Sequence, residues 1–389
     1  MPYSPSLRRA VGELRACLER HGLGRQSSRF AEHGEHRPDP DAPLVLVACS
    51  GGRDSMALAA VGHIVCGMLG LRFGAVIVDH GMQDGSAAVA REAAERCDAI
   101  GLDPVMVRRV EVDRRLIASD GSEAAARDAR YAALVDAARE TGAAMVLLAH
   151  TLNDQAETVM IGLARSGGLD AIVGMPEVTE RGESGGESSG ESGGKDGHDE
   201  HDGLGDPVRF VRPWLNVTRA QTTAICRELN IAWWDDPTNG DAVLASRPLD
   251  ASYPLRSRIR HDLMPAMARC YGRDPAASLA AGAASARIDA DYLDQVADRL
   301  AAQALSCDDG RVRIDARHLL DEHPALRRRV IVRALRTLGI PVAAVHVEAI
   351  DRLITDWHGQ RPLVLPSQCS VIRKGHVIEV CEDRRHANR

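Results

Sequence analysis

From residue 44 onward, short apolar runs rich in Val, Ile and Leu alternate with longer stretches whose apolar positions recur every three or four residues. The runs at 44–48, 73–79 (FGAVIVD), 104–110 and 144–149 (AMVLLA) predict strands, and the stretches at 55–70, 87–101 and 122–141 predict helices. Such alternation predicts an α/β fold, a doubly wound parallel sheet whose ligands bind beyond the carboxyl ends of the strands. VRFVRPWL (208–215) reads as one more strand and 218–230 as one more helix. Further on the period is helical over 276–305, 317–338 and 344–357, which predicts a smaller α-rich domain, and the tail LVLPSQCSVIRKGHVIEVCE (363–382) alternates like a short β hairpin or meander. Ahead of the sheet, Leu7, Val11, Leu14 and Leu18 mark an amphipathic helix. The expected division is a helix and linker at 1–40, an α/β domain at 41–250, and an α-rich domain with a short β tail at 251–389.

Three polar clusters fall at predicted strand ends. SGGRDS (Ser50, Gly51, Gly52, Arg53, Asp54, Ser55) joins a strand to a helix. Such a turn favours these residues for conformation alone, because Gly tolerates positive φ and Ser or Asp caps the next helix. It is equally a phosphate site, where successive backbone N–H groups form an anion nest at a helix N-terminus. It lacks the Gly-Lys-Ser/Thr ending of a Walker A loop, so no lysine reaches toward the β and γ phosphates. In HTLNDQAET (150–158), Asp154 and Glu157 share one face of a helix starting at Thr151, beside His150 at a strand end. Acids favour a helix N-terminus in any case; two with a histidine suit a cation, magnesium or an amine. Asp79 and His80 end another strand. In SEAAARDARYAAL (122–134), Glu123 and Arg127 make an i,i+4 pair of the kind found on solvated faces, while Arg127 and Arg130 lie on one side of that helix, where arginine clamps phosphates of ATP or RNA.

Composition narrows the class. In 389 residues, 44% hydrophobic content is enough for real cores, and 3% aromatics leaves them to Ala, Val, Leu and Ile. Nine cysteines without a CxxC pair or a metal-ligand spacing predict a reduced, cytoplasmic protein with neither structural zinc nor an iron–sulfur cluster. No apolar run reaches the roughly 18 residues of a membrane span, and no signal-peptide pattern follows Arg8 and Arg9, so no membrane partner is expected. The net charge of −7 is local: nine acids against two bases leave 180–206 at −7, whereas 27 bases against 22 acids leave 207–389 at +5. RGESGGESSGESGGKDGHDEHDGLGD (181–206) has almost nothing to bury and predicts a disordered acidic insert. The mildly basic C-terminal half is the candidate polyanion surface.

SGGRDS also has the form of the pyrophosphate loop of N-type ATP pyrophosphatases, enzymes that cleave ATP to AMP and pyrophosphate. It is followed in order by VDHGMQDGS (78–86), EAAARDARY (123–131), LAHTLNDQAETV (148–159), RSGGLDAIVGM (165–175), VRPWLNVTR (211–219), WDDPTN (234–239) and RSRIRHDLMP (256–265). With these the chain resembles the tRNA(Ile)-lysidine synthases over most of its length, and DWHGQRPLVLP (356–366) resembles actinobacterial members.

The resemblance implies a PP-loop ATP-binding catalytic domain followed by a tRNA-binding domain. The implied reaction is a ligation: ATP adenylates the carbonyl oxygen on carbon 2 of the wobble cytidine in the CAU anticodon of tRNA(Ile), and the ε-amine of free lysine then displaces AMP. ATP and Mg2+ are the implied cofactors, and a homodimer is left open. Ser50, Gly51, Gly52, Arg53, Asp54, Ser55, Asp79 and His80 are implied around the nucleotide, with Asp54 toward magnesium. Asp54, Arg127, Asp154 and Glu157 are implied in catalysis, and His150, Asp154, Glu157, Arg130, Arg256 and Arg260 toward the substrates. Ser257 stands where the family commonly has Asn, and the 181–206 insert and extra residues at 242–252 lie outside its usual pattern. The alternative, a PP-loop tRNA thiolase, shares the loop and the adenylation, but members with catalytic cysteine pairs or clusters need thiols that this sequence does not arrange.

Overall fold

In the computed structural model, which describes residues 3–31, 37–81, 85–110, 122–165, 168–182, 206–240, 243–244, 246–308, 310–366 and 369–382, the predicted alternation forms a six-stranded sheet. Its strands are β1 (Leu44–Ala48), β2 (Arg72–Asp79), β3 (Val105–Arg109), β4 (Met145–Leu147), β5 (Val178–Arg181) and β6 (Val208–Val211), in the order β3-β2-β1-β4-β6-β5. All neighbours are parallel except β5 and β6. Helices α1 (Pro5–Arg20), α2 (Arg53–Leu69), α3 (Ser86–Ile100), α4 (Ser122–Thr141), α5 (Leu152–Arg165) and α6 (Arg219–Glu228) flank it.

The central strand shows why both faces must be covered. Val45 and Val47 enter one core with Leu14 and Leu18 of α1 and Met56 and Val61 of α2. Leu44 and Leu46 enter the other with Tyr131 and Leu134 of α4 and Phe210 of β6. A strand buried on both faces reads as an unbroken apolar run, which is what LVLV is. Within the second core, Tyr131 meets Phe210 edge to face at 5.0 Å.

The N-terminal helix belongs to the first of these cores. Ser4 caps it by accepting from the Leu7 amide, Pro5 opens it, and the buried stripe of Leu7, Ala10, Val11, Leu14 and Leu18 packs inward. Trp214 Nε1 donates to the Ala10 carbonyl at 3.2 Å, tying the VRPWLNVTR stretch to the same helix. The short edge strand β5 was not anticipated; its residues are mostly half-buried and carry no strong alternation. Disorder was expected over 181–206, but Arg181 is a buried strand residue that pairs with Val208 across the β5–β6 ladder, so the ordered sheet runs one residue into that stretch; residues 183–205 lie outside the described residues.

The chain divides into two compact units, Met1–Ala284 and Ser285–Arg389. Residues 251–284, expected with the α-rich domain, therefore group with the sheet. They form α7 (Leu255–Arg258), a π turn at Ile259–Leu263, α8 (Met264–Tyr271) and the start of α9 (Ala276–Ala304). Periodicity reports only that such residues are helical; ion pairs from Arg256 and Arg260 to α5 decide where they pack.

The second unit holds more sheet than the sequence suggested. β7 (Leu305–Asp308) and β8 (Arg311–Asp315) join β9 (Leu363–Leu365), β10 (Cys369–Lys374) and β11 (Val377–Glu382) in an antiparallel sheet ordered β7-β8-β11-β10-β9. The tail does form the expected meander, but Val312 and Ile314 pair with Val380 and Ile378, extending it by two strands whose short runs gave little periodic signal. α10 (Pro324–Thr337) starts later than 317 because Pro324 and the cap on His323 fix its first turn. α10 and α11 (Ala344–Thr355) are joined by the buried ion pair of Arg327 with Asp351 at 2.7 Å. Among the described residues, no helix is long and apolar enough to cross a membrane.

One glycine reports how closely α5 is seated. A Cβ at Gly162 would lie 1.9 Å from the Ala171 carbonyl oxygen, a backbone atom, whereas one at Gly12 on α1 would meet nothing within 4 Å. Gly162→Ala is expected to lower stability by about 1–3 kcal/mol in urea melts, while Gly12→Ala leaves it level or raises it.

Candidate active site

The turn after β1 is shaped by its first glycine. Gly51 has φ 77°, and a Cβ there would come within 3.0 Å of the Ala93 Cβ on α3, so both backbone and space require glycine. Gly52 differs: its φ of −74° and ψ of 162° are ordinary extended backbone. The turn is closed from within, for the Ser55 hydroxyl accepts from the Ser50 amide at 3.2 Å and donates to the Gly52 carbonyl at 2.9 Å, while Ser50 Oγ lies 3.2 Å from Ser55 Oγ. The Trp234 amide donates to the Gly51 carbonyl at 2.9 Å, which brings WDDPTN against the same turn.

Beside the turn lies a network of three carboxylates and three guanidinium groups. Asp54, in the first turn of α2, accepts from the Thr222 hydroxyl and lies 3.6 Å from Arg219 Nε. Arg219 also donates to Asp154 Oδ1 at 2.9 Å and to Glu157 Oε1 at 3.1 Å. Arg260 binds Glu157 in bidentate fashion, at 2.8 and 3.1 Å, and donates to Asn239 Oδ1 at 3.2 Å. Arg256 approaches Asp154 at 3.8 Å and donates to the Thr158 hydroxyl at 3.2 Å. Arg256 lies in α7 and Arg260 in the π turn at Ile259–Leu263 that directly continues it, and both arginines reach one face of α5.

Asp154 and Glu157 do share a face of α5, as their spacing predicts, but they are enclosed: Glu157 is 1% exposed and Asp154 8%. A buried carboxylate requires charge and hydrogen bonds around it. Asp154 has these from Arg219 and from the amide and hydroxyl of Thr151, at 2.8 and 2.7 Å. Burial alone would raise its pKa, yet Arg219 and Thr151 outweigh that and hold it well below the usual carboxylate range. At Asp54 the balance goes the other way, burial raising the pKa more than Arg219 and Thr222 lower it. The Arg219 guanidinium, despite its burial, is fixed in the charged form by Asp154, Glu157 and Asp54.

Arg219 is the central residue that the sequence reading missed. It sits at the first position of α6, where a cation opposes the helix dipole. The Thr218–Gln221 capping box fixes that helix start, so a conflicting arginine there was a readable sign of nearby carboxylates.

The remaining expected residues take several positions. Asp79, at the end of β2, is buried, and hydrogen bonds from Ser86 and the Gly81 amide lower its pKa. His80 is shifted down by burial and then by Arg130. Burial also pushes His150 down to about 3, with its Nδ1 enclosed and without a hydrogen-bond partner among the described residues, so its imidazole is neutral. Arg127 and Arg130 are exposed and gather with Arg181 over the Tyr131 ring, their guanidinium carbons 5.6, 5.9 and 3.9 Å from its centre. The side chain of Glu123 lies outside the described residues. Ser257 is buried and donates to the Thr238 carbonyl at 2.8 Å, linking the Arg256 helix to WDDPTN.

The network opens into a cleft of about 310 Å³. Glu157, Arg219, Arg260, Asn153 and Asp274 supply its polar wall, and Met264, Pro265 and Ala268 its apolar one. Charged groups of both signs along an aliphatic wall suit a small zwitterion with a carbon chain.

The sequence matches two family models, a PP-loop domain over residues 26–267 and a TilS substrate binding domain over 315–377. A tRNA(Ile)-lysidine synthase of Bifidobacterium longum subsp. infantis is 49% identical, with 100% of each chain covered. The enzyme of the same name from Streptomyces coelicolor is 41% identical, covering 86% of this chain and 84% of that one. Among solved structures, the U34-tRNA thiolase NcsA of Methanococcus maripaludis superposes with a TM-score of 0.48 at 14% identity, covering 72% of this chain and 77% of that one.

The acidic limb of stability is expected to report on Asp154. A carboxylate whose folded pKa lies below its unfolded value, near 3.9, contributes stability fully above that pH and loses it as the pH falls toward the folded value. Asp154→Asn should therefore flatten the decline in stability between about pH 4 and pH 2, followed by urea melts; an unchanged slope would contradict an ionised, paired Asp154.

Proposed function

The chain belongs to the tRNA(Ile)-lysidine synthases, ATP-dependent ligases with a PP-loop domain, and from that premise we propose how its own residues divide the reaction. A cytosine ring carbonyl offers no usable leaving group. ATP therefore adenylates the oxygen on carbon 2 of the wobble cytidine, pyrophosphate departs, and the ε-amine of lysine then displaces AMP from that carbon. The 50–55 turn holds the departing pyrophosphate with the amides around Gly51 and Gly52 and the N-terminal end of α2, and Asp79 and His80 border the nucleotide.

Asp54 fits a magnesium ion: one carboxylate beside a phosphate turn is a common protein share of such a site. Magnesium, when bound, supplies charge neutralisation for the phosphates. Exposed Arg127 and Arg130 meet phosphates of RNA or ATP at the rim.

Free lysine occupies the cleft, its stem along Met264, Pro265 and Ala268 and its charged groups among Asp154, Glu157, Arg219 and Arg260. The observation that carries this reading is the charge-balanced network between the phosphate turn and the cleft, because it offers both signs to a zwitterion. At neutral pH only about one lysine side chain in a few thousand is uncharged, and carboxylates nearby favour the charged form. A proton must leave as attack proceeds. His150, held neutral by burial, offers its enclosed Nδ1 for a hydrogen bond to a substrate. The direct test is incubation with tRNA(Ile) transcript, ATP and labelled lysine, which should place label in the tRNA.

Separate assays of the two half-reactions test the division of roles. Asp154→Asn and Glu157→Gln are expected to form adenylated tRNA and to transfer lysine 10- to 100-fold more slowly, as follows from losing a charge-assisted contact of roughly 1.5–3 kcal/mol. A parallel fall in both signals would assign the pair to the nucleotide instead. Deleting 183–203 is expected to leave turnover nearly unchanged and to tighten tRNA binding modestly at low salt, an effect that fades as salt rises.

A further inference from the structure

At the C-terminal end of α1, Cys17 and the C-cap residue His21 stand one helical turn apart, and Glu177, just ahead of β5, meets both. Glu177 Oε1 lies 3.4 Å from Cys17 Sγ and 3.1 Å from His21 Nε2, and one donor atom from each of the three residues falls within 4.8 Å of the others. Arg20 Nη2 also donates to Glu177 Oε1 at 2.9 Å. We propose that Cys17, His21 and Glu177 form a zinc site, with water completing the coordination.

The spacing argues for a single ion. Zinc bonds of about 2.0–2.3 Å to N, O and S place neighbouring donors of a tetrahedron roughly 3.3–3.8 Å apart. The Cys17–Glu177 separation of 3.4 Å lies in that range, the His21–Glu177 separation of 3.1 Å just below it, and the Cys17 and His21 donors lie within 4.8 Å, so the ion draws the donors together by small side-chain movements. A thiolate, an imidazole and a carboxylate together favour zinc over magnesium or calcium, which prefer all-oxygen sets. Cys17 is fully buried, whereas the Glu177 side chain is 40% exposed, so the ion enters from the solvent side. Arg20, more than half exposed, swings outward when the ion takes its carboxylate.

The site would fasten two segments distant in sequence. The Glu177 carbonyl accepts from the Arg212 amide at 2.8 Å. Two residues earlier, the Met175 amide and carbonyl are both bound by the Gln155 side chain, at 2.6 and 2.8 Å. Gln155 lies on α5 between Asp154 and Glu157, so the ion would tie α1 to the segment that α5 grips. Cysteine spacing alone predicted no structural zinc, because the third ligand lies 156 residues beyond His21.

The test uses the reduced full-length chain, stripped with chelator and titrated with zinc alone, with cobalt(II) as a spectroscopic substitute. One zinc per chain is expected, with a rise in Tm and a thiolate-to-cobalt charge-transfer band. Cys17→Ser and Glu177→Gln should each weaken zinc binding at least tenfold and Cys17→Ser should abolish the band, while Cys270→Ser with Cys307→Ser, which removes two exposed thiols, should leave both intact. Should Cys17→Ser not fold, Glu177→Gln at the solvent edge decides by affinity alone. Absence of stoichiometric zinc in the folded wild-type chain, or unchanged affinity in Glu177→Gln, overturns the site.

Discussion

The burial of Glu157 and Asp154 is the constraint on which the first unit depends. Two ionised carboxylates one helical turn apart repel each other and lose most of their water, a cost of several kcal/mol each without compensation. Compensation comes from two other parts of the chain: Arg219 from the start of α6, and Arg256 and Arg260 from the helical segment near 260. The same charges therefore assemble the site and hold residues 251–284 to the sheet. Removing one partner would strand the others, so the three motifs that carry them form one cooperative object.

That coupling also bears on catalysis. Groups fixed by bidentate and cross-linked ion pairs need little reorganisation when a substrate arrives. A zwitterion entering the cleft would exchange partners with them, its carboxylate toward guanidinium groups and its ammonium toward carboxylates, while the total charge of the pocket stays balanced. The 50–55 turn is held through different means, by serine hydroxyls and the Trp234 amide. The turn and the ion-pair network are thus neighbouring constructions of different chemistry, joined at Asp54, whose carboxylate meets both Thr222 and Arg219.

Much of this was readable in the chain. The central strands were legible because apolar runs broken by Gly, Ser and Asp leave few other folds, and SGGRDS and HTLNDQAET stood where a parallel sheet puts its ligand ends. Charge compensation was not legible, since no local pattern says which arginine will reach Glu157. The placement of 251–284 was hidden for the same reason: helical period is local, and the ion pairs that dock these helices are not. β7 and β8 escaped because strands of four and five residues give too short an alternation to stand out, and only pairing with the tail reveals them.

The β5–β6 ladder has a use beyond this reaction. Arg181 and Val208 are paired neighbours, so whatever joins them leaves from and returns to nearly the same place. The entropy of closing such a connection grows only with the logarithm of its length, about 0.6 kcal/mol per doubling. The acidic stretch between them is therefore a natural point at which to splice in a reporter peptide or an affinity handle, giving the chain an internal attachment point that leaves both of its ends unaltered.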